Sequence, residues 1–170
     1  KKYLLSVLFC MLALIASNAE EYTHTFTSKT FTANGTMSLS NVDWTLAGDG
    51  GYWGYDATKG QQFGSGSKPY KSLTLSTSDI EGKITEIVIN TSGANSVGTN
   101  FSVSVGGVQY GEATKLTKTA TSYTFEGSAS GDIVFSYTQT SSKALYIKSI
   151  KVVYSTGEAA TGTEAAEDTK

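Results

Sequence analysis

The sequence contains no arginine: all 13 basic residues are lysines. The bidentate guanidinium contacts that dominate phosphate and guanine recognition are therefore missing, and the lysines are scattered along the chain. Duplex binding has no visible electrostatic source, so nucleic acid is not an expected partner. Histidine is equally scarce. His24 stands alone, which leaves any Ser-His-Asp or Cys-His arrangement resting on one residue and a zinc site short of ligands. No Gly-x-Ser-x-Gly elbow with its helix compensates. Proline occurs once, at Pro69. After Ile15 no segment carries an apolar stripe of 3.6-residue period, which argues against helices.

Cysteine also occurs once, and its place is informative. Lys1 and Lys2 precede an apolar run over residues 3–15, followed by Ala16-Ser17-Asn18-Ala19 with small residues at the third and last positions before a cut after Ala19. This is the pattern of a secretory signal peptide over residues 1–19. The run is short for a transmembrane span and is followed by Glu20 and Glu21, not by a basic stop-transfer cluster. The expected location is secreted, periplasmic or cell-surface, with no membrane span once the signal is removed. Cys10 lies inside the run, where a lipidated cysteine would instead close it. With the signal gone no cysteine remains, so the fold must stand on packing and sheet hydrogen bonds. Residues 20–155 are enough for one core. Residues 156–170 hold four acidic side chains and no large apolar one, and read as a disordered tail or a linker to a catalytic domain in a longer gene product.

What the chain has in abundance is 24 Thr and 22 Ser, with 18 Gly and 17 Tyr plus Phe, a composition of strands joined by tight turns. Period-two alternation confirms it: Tyr22, His24 and Phe26; Leu73 and Leu75; Phe101, Val103 and Val105. Met37 and Leu39 alternate, as do Val42, Trp44 and Leu46, but the phase slips between the two sets, which places a turn or bulge at Ser40-Asn41. The same slip between Leu145, Ile147 and Ile150, Val152, Tyr154 places a bulge at Lys148-Ser149. Further strands are expected at residues 84–90, 121–125 and 133–137, with turns at Val105-Gly106-Gly107-Val108 and Ser130-Gly131-Asp132. Nine to eleven short strands make an all-β antiparallel sandwich, which we read as jelly-roll-like.

The runs KGQQFGSGSKPYKSLTLST, INTSGA, SVSVGG, YTFEGSASGDIVFSY and ALYIKSIKVVY resemble a secreted β-sandwich module found in surface and exported proteins of Bacteroidetes and other gut bacteria. The last of these runs is also similar to the closing strand of galactose-binding-like and carbohydrate-binding-module jelly rolls. The resemblance implies a sandwich that accompanies a nuclease, protease or glycosidase domain. It carries over no catalytic residue.

Candidate binding residues cluster in GDGGYWGYDATKGQQF. Both tryptophans, Trp44 and Trp53, fall within ten residues. Trp44 alternates with Val42 and Leu46 and belongs to a core. Tyr52, Trp53, Tyr55, Asp56, Gln61 and Gln62 mix aromatic faces with amide and carboxylate groups, the combination that sugar recognition uses. Gly48, Gly50, Gly51 and Gly54 suggest a projecting loop that carries Trp53, with Tyr52 or Tyr55, to a neutral glycan. No cofactor is implied. Asp43, Asp49 and Asp56 are the candidate set for a structural calcium, without the Asp-rich loop that such a site commonly uses. Three functions stay open: a non-catalytic module for a glycan or cell-surface polysaccharide, a structural or adhesive surface module, and a small hydrolase using two carboxylates.

Overall fold

The computed structural model describes residues 18–93 and 99–157, and all regular structure within them is β-strand. The signal-peptide segment through Ser17 and the tail from Glu158 lie outside these residues. The strands are β1 (Ala19–Thr25), β2 (Gly35–Leu39), β3 (Val42–Gly48), β4 (Trp53–Asp56), β5 (Gly60–Phe63), β6 (Ser72–Thr77), β7 (Lys83–Ser92), β8 (Thr99–Val105), β9 (Val108–Thr114), β10 (Thr121–Ala129), β11 (Ile133–Gln139) and β12 (Leu145–Ser155). They form two antiparallel sheets. One runs β10-β7-β12-β5-β4, with β1 also paired to β12; the other runs β2-β3-β6-β11-β8-β9.

The period-two patterns translate directly into these layers, because each strand buries one face and wets the other. Leu73, Leu75, Phe101, Val103, Val105, Ile133 and Phe135 from one sheet face Ile84, Ile87, Ile89, Leu145, Ile147, Ile150 and Val152 from the other. Trp44 sits at the middle, stacked on Phe135 at 5.1 Å and on Tyr22 at 6.2 Å between ring centroids. Its Nε1 donates to the Tyr22 hydroxyl at 3.0 Å, which donates to the Leu39 carbonyl at 2.9 Å, so both polar tips of this aromatic pair are satisfied inside the core.

The phase slips are where expected. Ser40 and Asn41 both take positive φ, 51° and 67°, and close a two-residue hairpin between paired Leu39 and Val42. Gly106-Gly107 do the same between Val105 and Val108. In β12 the register jumps from Ile147 to Ser149, leaving Lys148 as the extra residue. That jump lets one strand serve two neighbours on one side, pairing β5 through Leu145–Ile147 and β1 through Ser149–Ser155, while β7 runs along the other.

Two expectations are corrected. There are twelve strands, and Trp53 and Tyr55 lie on β4 of the hairpin β4–β5, not on a projecting loop. Two glycines ahead of β4 serve close approach: a Cβ at Gly48 or Gly50 would overlap the Tyr70 ring. Met37 is 38% exposed although it alternates with buried Leu39 and pairs with buried Trp44, because β2 is a sheet edge with no strand beyond it.

Candidate functional site

Strand alternation divides the six candidate residues between two faces. On β4 and β5, Trp53 pairs with Phe63, Gly54 with Gln62 and Tyr55 with Gln61. Buried Phe63 and Gln61 mark the inner face, so Trp53 and Tyr55 point inward while Tyr52, Asp56 and Gln62 belong to the outer face.

The inner-face residues are largely committed to the fold. Gln61 is 0% exposed. Its Oε1 accepts the amides of Thr30 and Phe31 at 2.8 and 3.0 Å, and its Nε2 donates to the carbonyls of Phe31, Gly54 and Gln62. A ligand role for Gln61 is thereby corrected to anchoring the segment between β1 and β2. Trp53 is half-buried and meets buried Tyr70 edge-to-face at 6.3 Å. Burial pushes the Tyr70 hydroxyl up, an effect the Trp53 side chain opposes in part. The Trp53 Nε1 itself is buried and completes no hydrogen bond, and the Tyr70 hydroxyl donates to Asn34 Oδ1 at 2.8 Å. Trp53 is thus a rim residue of the core and not a free platform. Tyr55, 38% exposed, keeps an accessible ring at the sandwich edge.

The outer-face residues meet a side chain that the sequence reading passed over. Tyr146, on β12, pairs with Gln62 of β5 and Ser92 of β7. Burial raises its hydroxyl above the ordinary tyrosine range, and the nearby Asp56 and Tyr52 add to that. Tyr52 is 40% exposed, and its ring lies beside Gly54, close to where a Cβ would sit. Asp56 is held below the usual carboxylate range, first by the Thr58 hydroxyl and then by the amides of Thr58 and Lys59, at 2.6, 2.8 and 3.0 Å. These bonds close the β4–β5 turn. The ammonium of the next residue, Lys59, lies 5.0 Å from the centroid of the Tyr146 ring, over its face.

Around Tyr146 the outer face of the sheet is hollowed. A cavity of about 460 Å³ is lined by Lys59, Gln62, Ser65, Gly66, Gly93, Lys118, Lys143, Ala144 and Tyr146. A second, of about 350 Å³, shares Lys59 and Lys118 and adds Asn90 and Lys148 among others. The two join into an open groove across β5, β12 and β7. Its walls are tied to the sheets. The Gly93 amide donates to the Thr117 carbonyl at 2.8 Å, fixing the loop that carries Lys118. Gln139 Nε2 donates to the carbonyls of Tyr70 and Lys143 at 2.6 and 2.7 Å, fixing the loop that carries Lys143. Lys71 supports the same loop by donating to the carbonyls of Thr140 and Ser141 and to Ser142 Oγ.

Of the six candidates, Gln62 lines this groove, and Tyr52 and Asp56 flank Tyr146 beside it. The lysines and Asn90 were missed. Tyr146 was detectable in principle, since it sits out of phase between Leu145 and Ile147 and so must face away from the core.

Other chemistry finds little support. His24 is held neutral-favouring by burial, with Nδ1 3.0 Å from Ser40 Oγ and Nε2 buried without a partner against the edge of Phe26. Asp43, Asp49 and Asp56 are not brought together: Asp43 lies beside Asp79, Asp49 accepts the amides of Lys71 and Ser72, and Asp56 closes its own turn. No three His, Cys, Asp or Glu residues group as metal ligands among the described residues. The expected calcium trio therefore does not fit the ion. Asp43, Asp79 and Asp132 line a separate hollow on the other sheet, where an Asp79 oxygen already accepts the Asp43 amide. No helix among the described residues is long and apolar enough to cross a membrane.

The sandwich is similar to solved carbohydrate-binding modules. A family 29 carbohydrate-binding module variant complexed with mannohexaose is 13% identical, over 82% of this chain and 94% of the other, with a TM-score of 0.50. The CBM36-1 domain of a multidomain xylanase from the hindgut metagenome of Trinervitermes trinervoides is 12% identical over 78% and 96%, with a TM-score of 0.45. A family 36 module in complex with calcium and xylotriose is 21% identical over 64% and 98%, with a TM-score of 0.39. No protein-family model and no curated protein matches the chain. At 13% identity the likeness to the family 29 module agrees with the antiparallel sandwich, and the fold is as far as it reaches.

Proposed function

We propose that the protein is a non-catalytic, exported carbohydrate-binding module that takes a glycan chain in the outer-face groove. The observation that carries the reading is the groove itself: two adjoining open hollows over three strands, in which Gln62 and Asn90 supply amide groups beside the ring of Tyr146. Asn90 is steadied there by donating from Nδ2 to Ser122 Oγ at 3.1 Å. Tyr52 extends the aromatic surface at one end. The burial of Trp44, Tyr70 and Phe63 favours the competing adhesive-module reading only in removing rings from the surface, and leaves the groove unexplained.

Export rests on the N-terminal pattern, and a cut after Ala19 would leave residues 20–25 of β1 in register with β12. Attachment to a catalytic domain is the accompanying proposal for the linker-like residues that follow β12.

Affinity electrophoresis against a panel of soluble neutral and acidic polysaccharides tests the function. At least one should retard the protein, and Tyr146→Ala should weaken that binding roughly tenfold, about 1.4 kcal/mol, with an unchanged melting profile. Failure of every polysaccharide in both classes to retard the parent would refute the reading in favour of the adhesive one.

A further inference from the structure

Lys59, Lys118, Lys143 and Lys148 are far apart in the chain, yet the fold brings all four to the walls of one groove. No carboxylate lines either cavity. Asp56, the acid beside Tyr146, already accepts three hydrogen bonds at its Oδ1 from its own turn. Elsewhere the protein does pair its lysines. Lys151 meets Glu86 at 3.0 Å and Glu21 at 3.7 Å, the only ion pairs among the described residues, and Lys71 is spent on backbone carbonyls. Lys59 feels the charge of Asp56 from its own turn, but Lys118, Lys143 and Lys148 form no salt bridge among the described residues, although the whole chain is net negative at −2. Like charges gathered without internal compensation repel one another, and an anionic occupant relieves that repulsion.

A second observation narrows the occupant. A neutral pyranose binds an aromatic side chain by laying its C–H face on the ring. In this groove the Lys59 ammonium covers the ring of Tyr146. That arrangement holds a cation against the ring, so a sugar that contacts Tyr146 meets a positive charge there as well. The amide residues Gln62 and Asn90 line the same surface, and amides pair with hydroxyls as readily as with anions.

We infer that the groove binds an acidic glycan, a polysaccharide bearing carboxylate or sulfate groups, and not a neutral one. This rests on the glycan-binding function proposed above and specifies its ligand class. Lysines supply monodentate charge contacts to successive anionic groups, while Asn90 and Gln62 meet the hydroxyls between them.

The test compares polygalacturonate and heparin with neutral xylan and glucomannan, and with a single-stranded oligonucleotide of similar length, by isothermal titration at 20 mM and 300 mM salt. An acidic polysaccharide should bind, with affinity falling at least tenfold at the higher salt. Lys59→Gln and Lys118→Gln should each weaken binding several-fold and flatten the salt dependence. Lys83→Gln, on an exposed position outside the groove, should change neither. The two acidic arms separate carboxylate from sulfate as the preferred group. Salt-insensitive binding of a neutral glycan, unmoved by the groove substitutions, would overturn the acidic assignment and keep the glycan function. Oligonucleotide binding as tight as that of either acidic polysaccharide would overturn it in favour of unselective polyanion capture. Absence of binding to any glycan would overturn both.

Discussion

Gln61 spends all of its side-chain hydrogen-bonding capacity on the chain itself, and this has a measurable cost when removed. Gln61→Leu keeps the volume roughly constant but leaves the Thr30 and Phe31 amides without an acceptor. Urea denaturation should show a loss of roughly 2–4 kcal/mol, the penalty for two buried donors left unmet. A loss below about 0.5 kcal/mol would mean that the segment between β1 and β2 moves to let water replace the amide. Tyr137 is the converse case. Its hydroxyl is buried with no partner, and burial pushes its ionisation up to about 12. Tyr137→Phe should therefore be neutral or stabilising at pH 7, by up to about 1 kcal/mol in a thermal melt, because it removes a desolvated group that earns no hydrogen bond.

At the scale of elements, the Ser40-Asn41 hairpin combines a good residue and a costly one. Both positions require positive φ, which asparagine tolerates and glycine accepts freely. Asn41→Gly should raise stability by roughly 0.5 kcal/mol, or a few degrees in Tm, and the Ser40 hydroxyl stays in place for His24. A lowered Tm would show that the entropy of a more flexible unfolded chain outweighs the relief. This turn was legible before any coordinates, as was the Lys148 bulge, because a burial period of two makes any one-residue slip visible as a phase change. The β4–β5 hairpin was not. Its four-residue strands are too short to show a period, and Gly48 and Gly50 read as flexibility when their role is to admit the Tyr70 ring. The groove was illegible for a different reason. Lys59, Lys118, Lys143 and Lys148 are united only by the pairing of β12 with both β5 and β7, and no local pattern encodes that adjacency.

Across the whole molecule, buried hydroxyls set the alkaline limit. Tyr22 and Tyr137 are both pushed up to about 12 by burial, Tyr22 with a smaller opposing effect from its bond to Trp44. The unfolded chain releases these protons near pH 10, so between pH 10 and 12 the folded state binds more protons than the unfolded one. Stability is whole below pH 10 and falls as pH rises toward 12, by about 1.4 kcal/mol per pH unit for each tyrosine. Thermal melts across that window should show Tm falling progressively, with a shallower slope in Tyr137→Phe. A flat profile to pH 12 would mean that neither ring loses its proton on unfolding. The position of β12 has a consequence of another kind, in the order of events during folding. Residues 145–155 must enter between β7 on one side and β1 and β5 on the other before the first sheet has a middle. Register partners such as Glu20 and Tyr154 span nearly the whole domain, which puts folding in the slow, millisecond-to-second class of high-contact-order sheets. A nascent chain that has not yet emerged past residue 144 lacks the one strand that joins β7 to β1 and β5, and this sheet stays in separate pieces until that segment arrives.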